Sequence, residues 1–311
     1  MEIAMEGGYM EDTIQRRQFL AVTLGLSARA VGAVGQGSSS AAANGYIDAH
    51  VHVWPPQPQG RARPVSFTPE ELFANAKPVG VTRIVLIQIS FYKTDNSYML
   101  GAMAKYRGVF SGVAVVDSTS GKVADEMRKL KQQGVRGFRI TPGGKPQTWL
   151  DAPGMEAMWR CGAEERLAMC PLVDPSAFLS IDRMCARHPD TPVVIDHLGR
   201  IGADGLIRDG DVRQLCDLAR HRQLHVKVSA FYALGKKQYP YLDLAPMIRR
   251  LVDAYGVERL MWASDSPFQV QNGNTYAGSI ELVRDRLEFL SASDREWLLR
   301  KSAERVFFEG V

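Results

Sequence analysis

The chain has 311 residues, of which 45% are hydrophobic and 23% charged, with 28 glycines and 16 prolines. This composition is that of a globular protein and excludes a wholly disordered, collagenous or coiled-coil chain. The formal net charge is +4, and because the basic residues are scattered rather than clustered, nucleic acid is not an expected partner.

The N-terminal segment contains a twin arginine. Arg16 and Arg17 lead into a moderately apolar stretch and then into small residues, an order that resembles a twin-arginine export signal. We therefore expect residues 1–45 to be a signal peptide and flexible tail, cleaved between Ala33 and Ala43, and the mature protein to be periplasmic. The alternative is a disordered tail on a cytoplasmic protein. No apolar run reaches the ~18 residues that span a bilayer, so no membrane span is predicted.

Short apolar or β-branched segments bounded by Gly, Pro, Asp or Ser recur along the rest of the chain, as buried strands do. There are eight, at Tyr46–Val53, Arg83–Ser90, Phe110–Val116, Gly134–Ile140, Leu167–Val173, Pro192–His197, Leu224–Ala230 and Arg259–Ser264. Segments with helical spacing of apolar residues separate them. The mean interval of about thirty residues is the length of a βαβ unit.

This periodicity predicts one α/β domain over residues 46–311, a (β/α)8 TIM barrel. Near-continuous apolar strands are typical of a parallel sheet that is covered on both faces. A doubly wound open sheet is the competing fold, but no G-x-G-x-x-G motif follows an early strand. Ser293–Phe308 is predicted to form an extra C-terminal helix.

Candidate catalytic side chains lie at the ends of three predicted strands. His50 and His52 close the first strand, and residues two apart on a strand share a face. His197 ends the sixth strand and Asp265 follows the eighth. Because the carboxyl ends of barrel strands meet at one mouth, we expect these four side chains to converge there. Imidazoles in such a place can hold a divalent metal or position a polar substrate.

The same motifs carry a family resemblance. His50-x-His52, D-H-L-G at 196–199 and S-D-S-P at 264–267 resemble motifs of the amidohydrolase superfamily. Within it, the chain is similar to the amidohydrolase-related branch of TIM-barrel lactonases and metal-dependent hydrolases, which includes the 2-pyrone-4,6-dicarboxylate lactonase group. The resemblance covers residues 46–311 and implies a hydrolase that opens a carboxylated cyclic ester.

The metal ligands of that superfamily are only partly present. Metal-dependent relatives usually have a Lys or Glu ligand on the fourth strand and a His on the fifth, where this chain has Arg136, Arg139 and Cys170. A two-metal centre is therefore not expected. A single zinc or manganese ion would use His50, His52 and Asp265 as ligands, with His197 as a further candidate. A metal-free mechanism, as in the lactonase group, is the alternative that the sequence leaves open.

The resemblance also implies a mechanism. Asp265 is expected to be the general base that takes a proton from the attacking water, and a secluded position is expected to raise its pKa. His50, His52 and His197, or a metal that they hold, are expected to stabilise the developing oxyanion.

Substrate recognition is expected to involve a small anionic molecule. Arg139, at the end of the fourth strand, and Arg200, just after the sixth, are placed to bind a carboxylate with two parallel hydrogen bonds. Ser90, Tyr92 and Lys227 are expected to add hydrogen bonds to the substrate.

Two other functions stay open on the sequence alone. The first is a zinc-dependent non-oxidative decarboxylase of an aromatic or muconate-type acid, although its relatives generally need a fifth-strand histidine that this chain lacks. The second is a non-catalytic barrel that binds a small acid. Oligomeric state is also open, and a homo-oligomer is compatible with the sequence.

Overall fold

The computed structural model describes residues 45–56 and 66–309. Of the predicted export signal and tail in residues 1–45, residues 1–44 lie outside these ranges. Within them, no helix combines the length and the apolarity that crossing a membrane requires.

The described part of the chain contains one sheet of eight parallel strands that pair in chain order. They are β1 (Tyr46–Val51), β2 (Val81–Ile87), β3 (Phe110–Ala114), β4 (Val135–Ile140), β5 (Ala168–Pro171), β6 (Val193–Ile195), β7 (Leu224–Val228) and β8 (Leu260–Trp262). The sheet closes on itself where the amide of His52 donates to the carbonyl of Ser266 at 2.8 Å and the amide of Asp265 donates to that of His50 at 2.9 Å. The predicted (β/α)8 barrel is confirmed.

Helices connect the strands and cover the outside of the barrel. They are α1 (Pro69–Ala76), α2 (Ser97–Lys105), α3 (Val123–Gln132), α4 (Pro153–Glu165), α5 (Phe178–Arg187), α6 (Asp209–Asp217), α7 (Ala245–Tyr255), α8 (Tyr276–Glu281), α9 (Ala292–Glu296) and α10 (Ser302–Phe307). The π-helical segments Leu282–Arg286 and Trp297–Lys301 follow α8 and α9. The continuous run from α9 to α10 is the predicted extra C-terminal helix.

Caps and apolar spacing explain where the helices form. At the start of α1, the hydroxyl of Thr68 accepts a hydrogen bond from the Glu71 amide, and the Glu71 carboxylate accepts one from the Thr68 amide. This reciprocal capping box fixes the first turn. In α3, Val123, Met127 and Leu130 follow helical spacing and are all buried against the sheet.

Two hydrophobic cores lie on the two faces of the strands. The outer core fills the space between strands and helices, and the inner core fills the barrel. The inner core contains Ile47, Ala49, Val85, Ile87, Val113, Val194 and Met261. Ala303 and Phe307 of α10 join this inner core, and Phe307 is completely buried. The C-terminal helix therefore forms the floor of the barrel, opposite the mouth.

A β-bulge near the end of β1 sets the direction of the first two histidines. Asp48 pairs with Ile84 and Val51 pairs with Leu86, so β1 has one more residue than β2 over this stretch. The extra residue breaks the strict alternation of faces. His50 consequently faces the barrel interior, where its ring lies against that of His197 with 4.3 Å between centroids.

Candidate active site

Four predicted residues meet at the carboxyl ends of the strands. Nε2 of His50 lies 3.5 Å and Nε2 of His52 lies 3.4 Å from Oδ1 of Asp265, while Nε2 of His197 lies 3.8 Å from its Oδ2. The four residues are at most 5% exposed. The convergence expected from the strand ends is therefore present in the structure.

Strained backbone conformations direct two of these side chains. His197 has φ 53° and Asp265 has φ 63°, both in the left-handed region that non-glycine residues seldom adopt. Such a conformation costs of order 1–3 kcal/mol and persists only where the surrounding structure imposes it. Both residues stand directly where a barrel strand passes into its loop, so the sharp turn points each side chain across the mouth.

The hydrogen bond of His52 to the backbone fixes its tautomer. Nδ1 of His52 lies 2.8 Å from the carbonyl oxygen of Ile87, which can only accept, so Nδ1 donates. Nε2 is therefore the ring nitrogen that faces Asp265. His197 is oriented in a similar way, since its Nδ1 lies 2.8 Å from the hydroxyl of Ser229.

A buried ion pair lies beneath His50. Nζ of Lys227 is 2.9 Å from Oδ1 of Asp196, and the side chains of both residues have zero exposure. Nδ1 of His50 is 3.3 Å from the same carboxylate oxygen and 3.2 Å from Nζ. Although burial opposes ionisation, the charge of Lys227 and the hydrogen bond with His50 hold the pKa of Asp196 well below its usual value. Asp196 is therefore a carboxylate.

The position of Lys227 differs from the sequence expectation. Its ammonium group was expected to bind substrate, but it lies inside the barrel and is paired with Asp196. The reason is that Lys227 lies within β7, one residue before the strand ends, where an inward side chain lies below the loops that form the rim.

The electrostatics of Asp265 also differ from the expectation. Burial acts to raise the pKa of Asp265, but His197, His52 and His50 together favour the carboxylate more strongly and lower the pKa below its ordinary value. The expected rise in pKa is therefore wrong, because that expectation counted burial and left out the neighbouring imidazoles. Asp265 is ionised at neutral pH.

His50, His52 and Asp265 fit a single metal ion. Their three facing atoms are 3.2, 3.4 and 3.5 Å apart. Tetrahedral nitrogen and oxygen ligands about 2.1 Å from zinc lie roughly 3.4 Å from one another. In addition, Oδ1 of Asp265 is buried and has no hydrogen-bond partner among the described residues. The cluster can therefore hold a metal without rearrangement.

A second group, His50, Asp196 and His197, is also close enough to hold a metal. The Lys227 ammonium, however, already lies 2.9 Å from the carboxylate of this group. On β5, Cys170 is fully buried, and burial raises the pKa of its thiol to about 12, so it is a neutral thiol rather than a ligand. These observations favour one metal rather than two.

Arg139 lies beside the cluster and is 9% exposed. It is the next-to-last residue of β4 and pairs with Cys170, which belongs to the inner core, so its side chain projects into the barrel near the carboxyl ends of the strands. Its buried Nε has no hydrogen-bond partner among the described residues. A buried guanidinium nitrogen without a hydrogen-bond partner is unfavourable, and a bound anion would supply the missing acceptor.

The other predicted substrate residues are placed differently. Arg200 is at the rim with 34% of its side chain exposed, and its Nε lies 3.4 Å from Oδ1 of Asp174. Ser90 is exposed in a short turn after β2. Tyr92 lines a cavity of about 510 Å³ between that turn, α1 and α2, whose lining contains no residue of the His/Asp cluster.

Sequence reasoning missed two residues of the site. Asp196 is part of the D-H-L-G motif but was not predicted as a site residue. Its position between an apolar strand and His197 could have indicated one. Tyr232 donates a hydrogen bond from its hydroxyl to Oδ2 of Asp265 at 2.7 Å. It lies in the turn after β7, and no motif marks it.

The closed parallel barrel with a His/Asp cluster at the carboxyl ends of its strands defines the class of TIM-barrel hydrolases with a metal-binding donor set. The family profile described as amidohydrolase matches residues 47–308, and the chain belongs to that family.

Known relatives agree with this assignment. The chain is 28% identical over 233 residues to L-fucono-1,5-lactonase of Burkholderia ambifaria, covering 71% of this chain and 80% of that protein. It is 27% identical over 244 residues to 2-pyrone-4,6-dicarboxylate hydrolase of Comamonas testosteroni, covering 72% and 77%. Among solved structures, an amidohydrolase of Burkholderia multivorans with bound zinc has a TM-score of 0.75 at 20% identity, covering 84% and 98%, which shows the shared fold.

Proposed function

We propose that this protein is a lactonase that opens a cyclic ester bearing a carboxylate. One observation carries the proposal: the ionised Asp265 and three imidazoles share a mouth with Arg139, a buried cation that has no partner at Nε. Asp265 and the imidazoles can activate water beside an ester carbonyl. The buried guanidinium of Arg139 is suited to binding an anion. The relatives named above include hydrolases of lactones, and one of these lactones is a dicarboxylate.

In the proposed reaction, Asp265 takes a proton from water as the water oxygen attacks the ester carbonyl. Its Oδ2 is the oxygen for this step, because Oδ1 faces the two histidines of β1. His197, held by Ser229, is placed to stabilise the developing oxyanion. The ring C–O bond then breaks, and the proton passes to the leaving oxygen.

We propose that His50, His52 and Asp265 hold one zinc or manganese ion. Zinc is favoured because the triangle of donor atoms matches its tetrahedral edge length and because a solved relative with the same fold binds it. When bound, the ion would supply Lewis-acid polarisation of the ester carbonyl. A metal-free form would use the same histidines to polarise the carbonyl, with His52 donating from Nε2 as an imidazolium because its Nδ1 already donates to Ile87.

The test combines metal analysis with turnover. Protein purified without added metal is analysed for zinc and manganese, and ring opening of 2-pyrone-4,6-dicarboxylate, L-fucono-1,5-lactone and neutral δ-valerolactone is followed spectroscopically or by pH-stat. The proposal expects ring opening of a carboxylated lactone, faster than that of the neutral one. Release of CO2 would instead favour a decarboxylase, and ligand binding without turnover a binding protein.

We also propose that residues 1–45 export the protein. The support is the Arg16-Arg17 pair and the apolar stretch that follows it. Fractionation of cells that express the wild type and the variant Arg16→Lys/Arg17→Lys tests this. Periplasmic wild type and cytoplasmic variant are expected, and equal cytoplasmic location of both would contradict export.

A further inference from the structure

We propose that Tyr232 is a further catalytic residue, whose hydroxyl passes the proton from Asp265 to the leaving oxygen of the lactone. The inference rests on the proposed lactonase function. It starts from one contact: the Tyr232 hydroxyl donates to Oδ2 of Asp265 at 2.7 Å. This is the oxygen that the proposed reaction assigns to the proton of the attacking water.

The backbone holds Tyr232 in this position. It is the middle residue of the short helical turn Phe231–Ala233, which starts after Ala230 in the left-handed region at φ 56°. Phe231 is completely buried, and its ring lies 5.8 Å from that of Tyr241. The buried ring of Phe231 therefore holds the turn in place, while Tyr232 is half-buried and lies at the mouth.

The surroundings place a substrate next to Tyr232. Arg139 projects into the barrel near the end of β4, Arg200 lies at the rim after β6, and Tyr232 lies in the turn after β7, so the two cations and the phenol lie at the same end of the barrel. A carboxylate bound by Arg139 would put the attached lactone ring between the arginine and Asp265. The phenol hydroxyl, which is hydrogen-bonded to Asp265, would then face the same ring.

Other donors near Asp265 are engaged, too distant or directed at its other oxygen, since Nε2 of His50 faces Oδ1 at 3.5 Å. Nδ1 of His52 donates to the Ile87 carbonyl, and the Lys227 ammonium lies in the closed interior beside Asp196. His197 is 3.8 Å from Asp265, beyond hydrogen-bond distance. Among the described residues, Tyr232 is thus the hydroxyl that directly joins Asp265 to the mouth.

The proposed step conserves atoms and charge. Water adds to the carbonyl carbon while its proton goes to Oδ2 of Asp265. When the ring C–O bond breaks, its electron pair goes to the ring oxygen, and the Tyr232 proton moves to that oxygen. The proton on Asp265 moves to the phenolate oxygen, which restores both residues. The product is a hydroxy acid.

The test varies how much the leaving oxygen needs a proton. Tyr232→Phe is assayed with 6-oxotetrahydropyran-2-carboxylate, which releases an alkoxide, and with dihydrocoumarin-3-carboxylate, which releases a phenoxide. Loss of a general acid typically costs 10²–10⁴-fold. We expect kcat to fall by more than ~100-fold with the first substrate and by less than ~10-fold with the second, since a phenoxide leaves without protonation.

Two controls make the result specific. Tyr255→Phe removes a buried hydroxyl that donates to the Leu215 carbonyl at 2.5 Å, away from the site, and should leave both rates unchanged. Thermal unfolding shows whether each variant folds. Equal loss of kcat with both substrates would mean that Tyr232 only positions Asp265, which overturns the inference. A wild type that opens neither substrate overturns the proposed function as well.

Discussion

The ammonium nitrogen of Lys227 lies 2.9 Å from Oδ1 of Asp196, and neither side chain is exposed to solvent. His50 adjoins both groups and belongs to the candidate metal site above them. The ion pair thus supports the first histidine from below, and loss of either charge would leave the other buried without compensation.

The Lys227–Asp196 pair yields a stability prediction. Lys227→Met and Asp196→Asn should each lower the free energy of unfolding, and removing one partner of a buried pair typically costs about 3–5 kcal/mol. The double variant should be more stable than the sum of the two losses implies, because no lone charge remains. Urea unfolding at pH 7 measures all four proteins. Additive losses would show that the two charges do not interact.

Asp265 should be essential for turnover and dispensable for folding. Asp265→Asn removes the proton acceptor but keeps the size of the side chain, so kcat should fall by about 10³-fold. His197→Ala should likewise abolish turnover. Thermal unfolding should shift little for either variant. Asp117→Asn, on an exposed turn, is the control and should retain wild-type kcat. Substantial activity in Asp265→Asn would remove the basis of the proposed mechanism.

Arg139 should determine the preference for anionic substrates. Arg139→Met should lower kcat/KM for a carboxylated lactone by about 100-fold, because a charge-assisted pair is lost, and should change it little for a neutral lactone. Arg136→Met is a matched control on the same strand, since Arg136 donates to the carbonyls of Lys131 and Val135 at 3.2 and 3.0 Å. Equal effects on both substrates would argue against a carboxylate contact.

His225 should make stability depend on pH. Burial lowers the pKa of this residue to about 4, whereas an unfolded histidine titrates near 6.5. As the pH falls below about 6.5, the unfolded chain gains a proton that the folded protein does not take up until about pH 4, so stability declines. Between pH 7 and pH 5 this residue should account for a loss of about 2 kcal/mol. Urea unfolding at both pH values measures this. Between pH 7 and pH 5, the free energy of unfolding of His225→Gln should fall by about 2 kcal/mol less than that of the wild type.

The fold and the convergence of the main cluster could be predicted from the sequence. Strands buried on both faces read as apolar runs, and their thirty-residue spacing specifies the barrel. A barrel then brings His50, His52, His197 and Asp265 to one mouth without any knowledge of side-chain detail.

The depth and direction of other side chains could not be predicted. Lys227 was predicted to bind substrate, but the sequence gives no measure of how far along a strand the mouth begins. Tyr92 follows β2 closely, yet its turn directs it into a separate cavity. The low pKa of Asp265 depends on three imidazoles at once, and their distances exist only in the folded chain.

Phe307 of α10 closes the bottom of the barrel, beneath the candidate active site. It lies about 250 residues after the histidines of β1 in the chain. A nascent polypeptide that has not yet reached this helix leaves the barrel open from below, with water reaching the Lys227–Asp196 pair. Catalytic activity should therefore appear late in synthesis, only once α10 has packed beneath the strands.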